Sequence, residues 1–163
     1  MIVVLMGVTG SGKTTIGTLL AERMGVAFAD ADDHHSAKNK AKMRAGEALT
    51  DKDRQPWLET LNGVLRDWHL SDAGGVLACS ALKEDYRRTL RAGMPEGAVR
   101  FVLLDGTKEL ITGRLARRQH EYMNPKLLTS QLETLEPPKD ALIVMNDRPP
   151  HEIVNEVLRQ VNL

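Results

Sequence analysis

The segment that most constrains the fold is a glycine-rich loop near the first residue. Residues 7–14 match the pattern G-x-x-x-x-G-K-[ST] and come shortly after an apolar run, Ile2–Leu5, with the character of a strand. Behind the loop, apolar residues recur at helical spacing up to Gly25, namely Ile16, Leu19, Leu20 and Met24. Because this motif binds phosphate when it joins a strand to a helix, the sequence predicts a P-loop here.

The residue types of this loop suit a nucleotide. Its glycines allow backbone N–H groups to turn toward phosphate oxygens, and the N-terminus of the following helix adds a partial positive charge. We predict that Lys13 contacts the β- and γ-phosphates as a catalytic group, and that the Thr14 hydroxyl and Asp30 hold Mg²⁺. The predicted nucleotide contacts are Gly7, Thr9, Gly10, Ser11, Gly12, Lys13, Thr14 and Thr15.

The rest of the chain alternates short apolar runs with helical patterns. The predicted strands are Ile2–Leu5, Val26–Ala29, Val76–Cys79, Val99–Leu104 and Ala141–Met145. This alternation predicts an α/β fold in a single domain, residues 1–163, with a five-stranded parallel sheet and helices on both faces. A helical insertion, about residues 36–71, is a candidate substrate-binding flap. Within it, Trp57 and Trp68 keep the spacing of packing residues.

Acidic residues and histidines follow the second predicted strand, in the segment Asp30–His35. Ligands of open α/β sheets bind beyond the carboxyl ends of the strands. We predict that Asp32 accepts the proton of a substrate hydroxyl beside the γ-phosphate, with Asp30 and Asp33 as competing candidates. His35 is a candidate contact for a sugar hydroxyl. The alternatives are that the carboxylates cap the following helix and that the histidine is a packing or surface residue.

Basic residues follow the third predicted strand, in the segment Ser80–Arg91. Lys83 and Arg87 are four residues apart and therefore share one face of a helix. Together with Ser80, and with Arg54 from the insertion, they are candidate substrate contacts that receive an anionic acceptor, because an arginine fork matches a carboxylate bidentately. A solvated charged face is the alternative.

A second basic segment follows the fourth predicted strand. Arg114 and Arg118 lie at i and i+4 on one helix edge, and we predict a lid over about residues 114–126. Both arginines are candidate catalytic groups that neutralise charge on the triphosphate while the lid excludes water, and Arg114 is also a candidate nucleotide contact. A plain surface helix is the alternative.

Composition limits the classes of partner. Lys plus Arg and Asp plus Glu are both 22, so the formal charge of +0 provides no overall field for nucleic acid or an anionic membrane. The single cysteine, Cys79, excludes an internal disulfide framework, and the sequence has neither a signal-peptide pattern nor an apolar run of membrane-spanning length. We therefore expect a cytoplasmic protein without nucleic-acid or membrane partners.

Two fragments imitate GTPase motifs in the wrong context. Residues 72–75 fit D-x-x-G, but Asp72 precedes a predicted strand instead of ending one. Residues 39–42, Asn-Lys-Ala-Lys, lack the aspartate of a guanine-reading N-K-x-D motif. The remaining hypotheses are a small-molecule kinase and a nucleotide-gated binding module without catalysis. A strand-end acid and lid arginines favour the kinase.

The motifs together resemble the thermoresistant-type gluconokinases, in the P-loop kinase group that also contains shikimate and adenylate kinases. The resemblance covers nearly the whole chain and is carried by GVTGSGKTT, DADDHHSAKNKAKMRAGEALTDKDRQPWL, LACSALKEDYRRTLR, RLARRQHEYM and LLTSQLETLEPP. It implies phosphorylation of D-gluconate to 6-phosphogluconate with ATP, and a homodimer. In the lid, the histidine of the family pattern is displaced by one position, to His120. A kinase for another small acid, such as shikimate, is the alternative activity.

Overall fold

The computed structural model of the protein describes residues 1–107, 109–111, 113 and 125–162, without the side chains of residues 125–127. Five parallel strands form one sheet in the order β2-β3-β1-β4-β5. The strands are β1 (Ile2–Met6), β2 (Ala27–Asp30), β3 (Gly75–Ala78), β4 (Val99–Asp105) and β5 (Leu142–Met145). The described helices are α1 (Lys13–Met24), α2 (Ala37–Arg44), α3 (Asp51–Leu70), α4 (Glu84–Leu90), α5 (Pro125–Thr134) and α6 (Pro150–Val161), with a short 3-10 turn at Ala31–His34.

The five strands predicted from apolar runs are confirmed, and their ends differ from the prediction by at most one residue. Strand β1 is the central strand, paired with β3 on one side and β4 on the other, and all of its residues are buried. A parallel sheet covered on both faces needs such continuous apolar strands. The α/β fold follows from this pattern.

Helices cover both faces of the sheet, as the sequence predicts. One face carries a core that includes Leu61 of α3, Leu90 of α4 and Leu128 of α5. The other carries a core that includes Leu20 of α1 and Val157 of α6. Because all the strands are parallel, the polar loops that follow them lie together at the carboxyl edge of the sheet.

The segment between β2 and β3 is helical, as expected for residues 36–71. Ser36 caps α2, its side-chain oxygen accepting a hydrogen bond from the N–H of Asn39, and Thr50 caps α3 in a reciprocal capping box with Asp53. The Trp68 ring packs directly against Gly75. A Cβ atom added to Gly75 would lie 2.4 Å from the ring, so this packing requires glycine at position 75. The packing predicted for Trp68 is therefore present.

None of the helices in the described ranges combines the length and apolar character that a bilayer-spanning segment requires.

Candidate active site

The glycine-rich loop joins β1 to α1 in a conformation that only glycine adopts without strain. Gly7, Gly10 and Gly12 all have positive φ, and Gly12 forms the N-cap of α1. An added Cβ on Gly7 would lie 2.7 Å from the carbonyl oxygen of Leu104, so the backbone approach excludes a side chain. The Gly7 N–H donates to the carbonyl of Ser80 at 3.2 Å, which ties the loop to the end of β3.

Lys13 and Thr14 open α1 beside the end of β2. The Lys13 ammonium donates to the carbonyl oxygens of Gly7 and Val8, at 2.9 and 3.0 Å, and so lies folded over the loop. The Thr14 hydroxyl donates to Oδ2 of Asp30 at 2.9 Å. The predicted pair of magnesium ligands, Thr14 and Asp30, therefore lies together at one edge of the site.

Two residues that the sequence reasoning did not assign hold this loop in place. Oε1 of Gln131, on α5, accepts a hydrogen bond from the N–H of Thr9 at 2.6 Å. Nδ2 of Asn146, just after β5, donates to the carbonyl of Ser11 at 2.7 Å. The segment LLTSQLETLEPP contains Gln131, and the rule that strand ends carry ligands applies equally to Asn146 after β5. The sequence thus marks both residues as candidates for the site, but it does not indicate that they bind the backbone of the P-loop.

A single cavity lies between the loop, the strand ends and the insertion. Its loop side is formed by Thr9, Gly10, Gly12, Lys13 and Thr14. The strand ends contribute Asp30, Asp32, His35, Ala78, Cys79, Ser80 and Leu82. The insertion contributes Met43, Ala48, Leu49, Arg54 and Trp57, and α5 contributes Ser130 and Gln131. Residues of the P-loop, the strand ends and the insertion thus line the same cavity.

The carboxylates after β2 have different surroundings. Asp30 caps the 3-10 turn by accepting from the N–H of Asp32 at 3.0 Å, while it also holds Thr14. Asp33 is exposed and does not line the cavity. Asp32 is half-buried in the cavity wall; burial and the neighbouring Asp30 raise the pKa of its carboxyl, and Lys13 partly offsets this. The capping alternative therefore applies to Asp30. Asp30 and Asp32 both line the cavity, and Asp33 does not.

His35 lies buried in the cavity wall against Trp57. The two rings stack with centroids 4.0 Å apart and an interplanar angle of 15°, and the Trp57 Nε1–H donates to the carbonyl of Ala31 at 2.7 Å. Burial lowers the pKa of His35 to about 4, with help from the positive charges of Arg54 and Lys40. At neutral pH the ring is therefore uncharged. Trp57 is a packing residue, as predicted, and it also lines the cavity.

Arg54 is directed toward the cavity by a polar cluster at the start of α3. Its Nη1 donates to the hydroxyl of Tyr86 at 2.9 Å, and the Tyr86 hydroxyl in turn donates to Asp51. Lys83 lies 3.4 Å from Oδ1 of Asp51 on the outer side of this cluster and does not line the cavity. The structure thus brings Arg54 and Ser80 to the site and leaves Lys83 beside it.

The structure places Arg87 away from its predicted position at the acceptor. Its guanidinium is almost fully buried, and it donates to three backbone carbonyls: Ala81 at 2.9 Å, Leu82 at 3.1 Å and Glu136 at 2.6 Å. Arg87 does not line the cavity. The physical reason is that Ala81, with φ of 46°, leaves its loop without regular backbone pairing, and the arginine fork satisfies those carbonyls.

Other predicted contacts lie outside the cavity or outside the described residues. Gly7 and Ser11 are buried in the loop and do not line the cavity, and Thr15 is exposed on α1. Arg114, Arg118 and His120 belong to the segment that the structure does not describe. The lid prediction, residues 114–126, therefore lies outside the described residues apart from the start of α5.

A P-loop that opens onto a cavity with a half-buried carboxylate in its wall is the arrangement of a P-loop small-molecule kinase. In agreement, the family model described as Shikimate kinase matches residues 9–162. The chain is 46% identical to the thermosensitive gluconokinase of Escherichia coli K12, covering 83% of this chain and 72% of the relative. It is 41% identical to the gluconokinase of Arabidopsis thaliana, covering 98% and 92%.

A solved structure gives the same result. The crystal structure of a gluconokinase from Sinorhizobium meliloti 1021 matches with a TM-score of 0.85 at 38% identity, covering 99% of this chain and 91% of that one. The chain therefore belongs to the gluconokinase family, and it is an enzyme of the kinase class.

Proposed function

We propose that this enzyme transfers the γ-phosphoryl group of ATP to the 6-hydroxyl of D-gluconate, forming 6-phospho-D-gluconate and ADP. The observation that carries the proposal is that Lys13 of the P-loop and the half-buried Asp32 line one cavity together with the acceptor-type residues His35 and Arg54. The gluconokinases to which the chain is similar support gluconate as the acceptor.

Phosphoryl transfer at this site depends on Lys13 and Asp32. The Lys13 ammonium exchanges its loop carbonyls for β- and γ-phosphate oxygens when nucleotide binds, so that it offsets the charge of the transition state. Asp32 orients the 6-hydroxyl and accepts its proton as the hydroxyl oxygen attacks phosphorus and the bond to the ADP oxygen breaks. A raised pKa makes Asp32 a stronger base than an ordinary carboxylate.

The Thr14–Asp30 pair fits Mg²⁺. Both residues offer oxygen atoms, and Mg²⁺ is usually held by one or two protein oxygens plus phosphates and water. Within the described residues no cluster of three or more His, Cys, Asp or Glu side chains forms a metal site of its own, which suits an ion that arrives with the nucleotide. Bound there, the ion would neutralise charge on the β- and γ-phosphates.

The acceptor binds on the side of the cavity formed by the insertion, residues 36–71. Arg54, held by Tyr86, receives the gluconate carboxylate, while His35, Ser80 and Asp32 contact hydroxyl groups. Residues 114–126 close over the triphosphate as a lid, with Arg114 and Arg118 neutralising charge. The position of Ser130 and Gln131 at the cavity, just after this segment, supports that assignment.

The protein acts in the cytoplasm as a homodimer, without nucleic-acid or membrane partners. The homodimer is expected from the family resemblance. The balance of 22 basic and 22 acidic residues supports the absence of polyanionic partners, and the free thiol of Cys79 suits a reducing compartment. Sedimentation equilibrium measures the oligomeric state directly.

The experiment that tests the function is a coupled assay of ADP release over a panel of acceptors. We expect D-gluconate to give the highest kcat/KM, and shikimate and water to give rates near background. Preference for shikimate would replace the substrate assignment with the alternative that the family model suggests. ADP release that is independent of any acceptor would contradict the kinase assignment itself.

A further inference from the structure

Asn39 lies behind the wall of the active-site cavity and contacts His35, which lines the cavity. The Asn39 side chain is buried, and its Nδ2 donates to the carbonyl of Asp53 at 3.0 Å. The same Nδ2 lies 3.3 Å from Nδ1 of His35. Because a carbonyl only accepts hydrogen bonds, the atom facing Asp53 must be the amide nitrogen, and the amide orientation is thereby determined.

The Asn39 amide also determines which ring nitrogen of His35 carries the proton. An amide nitrogen donates and does not accept, so Nδ1 of His35 must present its lone pair. Burial and nearby Arg54 and Lys40 lower the pKa of His35 to about 4, so the neutral ring carries a single proton at pH 7. That proton lies on Nε2.

The ring is also fixed in orientation. It stacks on Trp57, which is anchored through its Nε1–H to the carbonyl of Ala31. His35 lines the cavity, whereas Asn39 does not. The Nδ1 edge therefore faces Asn39, which leaves Nε2 as the ring nitrogen available to the ligand space.

We propose that Asn39 is a positioning residue for acceptor recognition, which holds His35 as the Nε2–H tautomer so that this histidine donates a hydrogen bond to an oxygen atom of the acceptor. The proposal rests on the proposed function. Asp32 and His35 then have opposite roles, because the carboxylate accepts from one hydroxyl group and the imidazole donates to another oxygen. An acceptor with an ammonium group in place of that oxygen is rejected, since an ammonium group has no lone pair.

The tautomer is measured directly by long-range ¹H–¹⁵N correlation spectra of the histidine rings, assigned with His35→Gln. We expect Nε2 of His35 to be protonated and Nδ1 to be unprotonated at pH 7.5 in the unliganded enzyme. A protonated Nδ1 would overturn the proposal. This measurement needs no turnover, so its result is independent of whether gluconate is the substrate.

Substitution of Asn39 tests the kinetic consequence. A carboxylate in Asn39→Asp accepts from Nδ1–H and moves the proton away from Nε2, and Asn39→Ala leaves the tautomer unfixed. We expect KM for gluconate to rise about tenfold or more in both variants, the effect of one lost hydrogen bond, with KM for ATP unchanged. Unchanged gluconate KM in a folded variant of either kind would overturn the role of Asn39.

The chain offers a matched control on the same insertion. Like Asn39, Asn62 of α3 donates two hydrogen bonds through Nδ2, in this case to the backbone carbonyls of Leu90 and Ala92. Asn62 does not line the cavity. Asn62→Asp therefore makes the same chemical change away from the site. We expect it to lower stability while leaving the His35 spectrum and the gluconate KM unchanged. A gluconate KM that rises equally in Asn62→Asp would reduce Asn39 to a structural role and overturn the proposal.

Discussion

The backbone N–H of Thr9 donates a hydrogen bond to Oε1 of Gln131 at 2.6 Å, which joins the P-loop to a helix 122 positions further along the chain. P-loop N–H groups normally point at phosphate oxygens, so the Gln131 oxygen occupies a place that a phosphate would take. We therefore expect this contact to open when ATP binds. The contact therefore links nucleotide binding to α5, the helix that follows the predicted lid.

Replacement of Gln131 by glutamate is expected to weaken ATP binding by about tenfold or more, because a carboxylate would hold the Thr9 N–H more strongly and repel the γ-phosphate. Gln131→Ala is expected to bind ATP at least as tightly as wild type, since it removes the competing oxygen. Isothermal titration with a non-hydrolysable ATP analogue measures both, with Gln55→Ala on the exposed side of α3 as control. Wild-type affinity in Gln131→Glu would exclude this competition.

Lys13→Ala is expected to abolish transfer while leaving the fold intact. The ammonium donates to two loop carbonyls, and Lys13 belongs to neither hydrophobic core. We expect kcat to fall more than about 100-fold, the effect of losing a charge that stabilises the transition state. The midpoint of thermal unfolding serves as the check on folding, and a kcat above about one hundredth of wild type would contradict the assignment.

Asp32→Asn is expected to lower kcat by about 10² to 10⁴-fold, the range for loss of a general base, with little change in ATP affinity. Since burial raises the pKa of this carboxyl, its charged form destabilises the fold at pH 7, and the amide should increase the free energy of unfolding. Opposite changes in activity and stability are therefore expected. Asp33→Asn is the control, because Asp33 is exposed and does not line the cavity; an inactive Asp33→Asn beside an active Asp32→Asn would reverse the choice of base.

His35 is expected to make stability depend on pH. Its pKa is about 4 in the folded protein and near 6.5 when unfolded, so between these values only the unfolded chain binds the proton. The free energy of unfolding should therefore fall as pH drops from 6.5 toward 4, by about 3 kcal/mol at most. Urea unfolding at pH 7 and pH 4.5 measures this loss. His35→Gln should show a smaller loss, and an equal loss in both proteins would contradict the lowered pKa.

Arg114 and Arg118 are expected to act in lid closure. Alanine at either position should therefore lower kcat and leave the KM for gluconate nearly unchanged. Steady-state kinetics of the two variants measure this. Gln119→Ala is the control, because Gln119 is neither three nor four residues from Arg114 or Arg118 and so points away from their shared edge of the predicted helix. Unchanged kcat in both variants would assign the two arginines to a solvated surface.

Much of the fold was predictable because it depends on local signals. The inner strands β1 and β3 are continuous apolar runs buried on both faces, and Gly25 ends α1 in the left-handed conformation. The acids after β2 could be located because a strand end fixes where the following residues emerge. Asp32 therefore reached the cavity as expected.

The remainder depends on long-range contacts that have no local pattern. Arg87 has the charge of a surface or ligand-binding residue, and its burial depends on carbonyls of Ala81 and Glu136 that only the folded chain brings together. Gln131 is an ordinary polar residue on a helix until that helix meets the P-loop. Helical spacing places Lys83 and Arg87 on one face, but it does not say which face meets the cavity.

The most direct measurement of the central claim is the structure of the reaction product. The enzyme is incubated with ATP, Mg²⁺ and D-gluconate, and the phosphorylated product is analysed by ³¹P–¹H correlation spectroscopy. The proposed function predicts one phosphate ester, coupled to the two protons on carbon 6 and formed in equal amount to ADP. A phosphate coupled to any other carbon, or inorganic phosphate as the sole new signal, would contradict it.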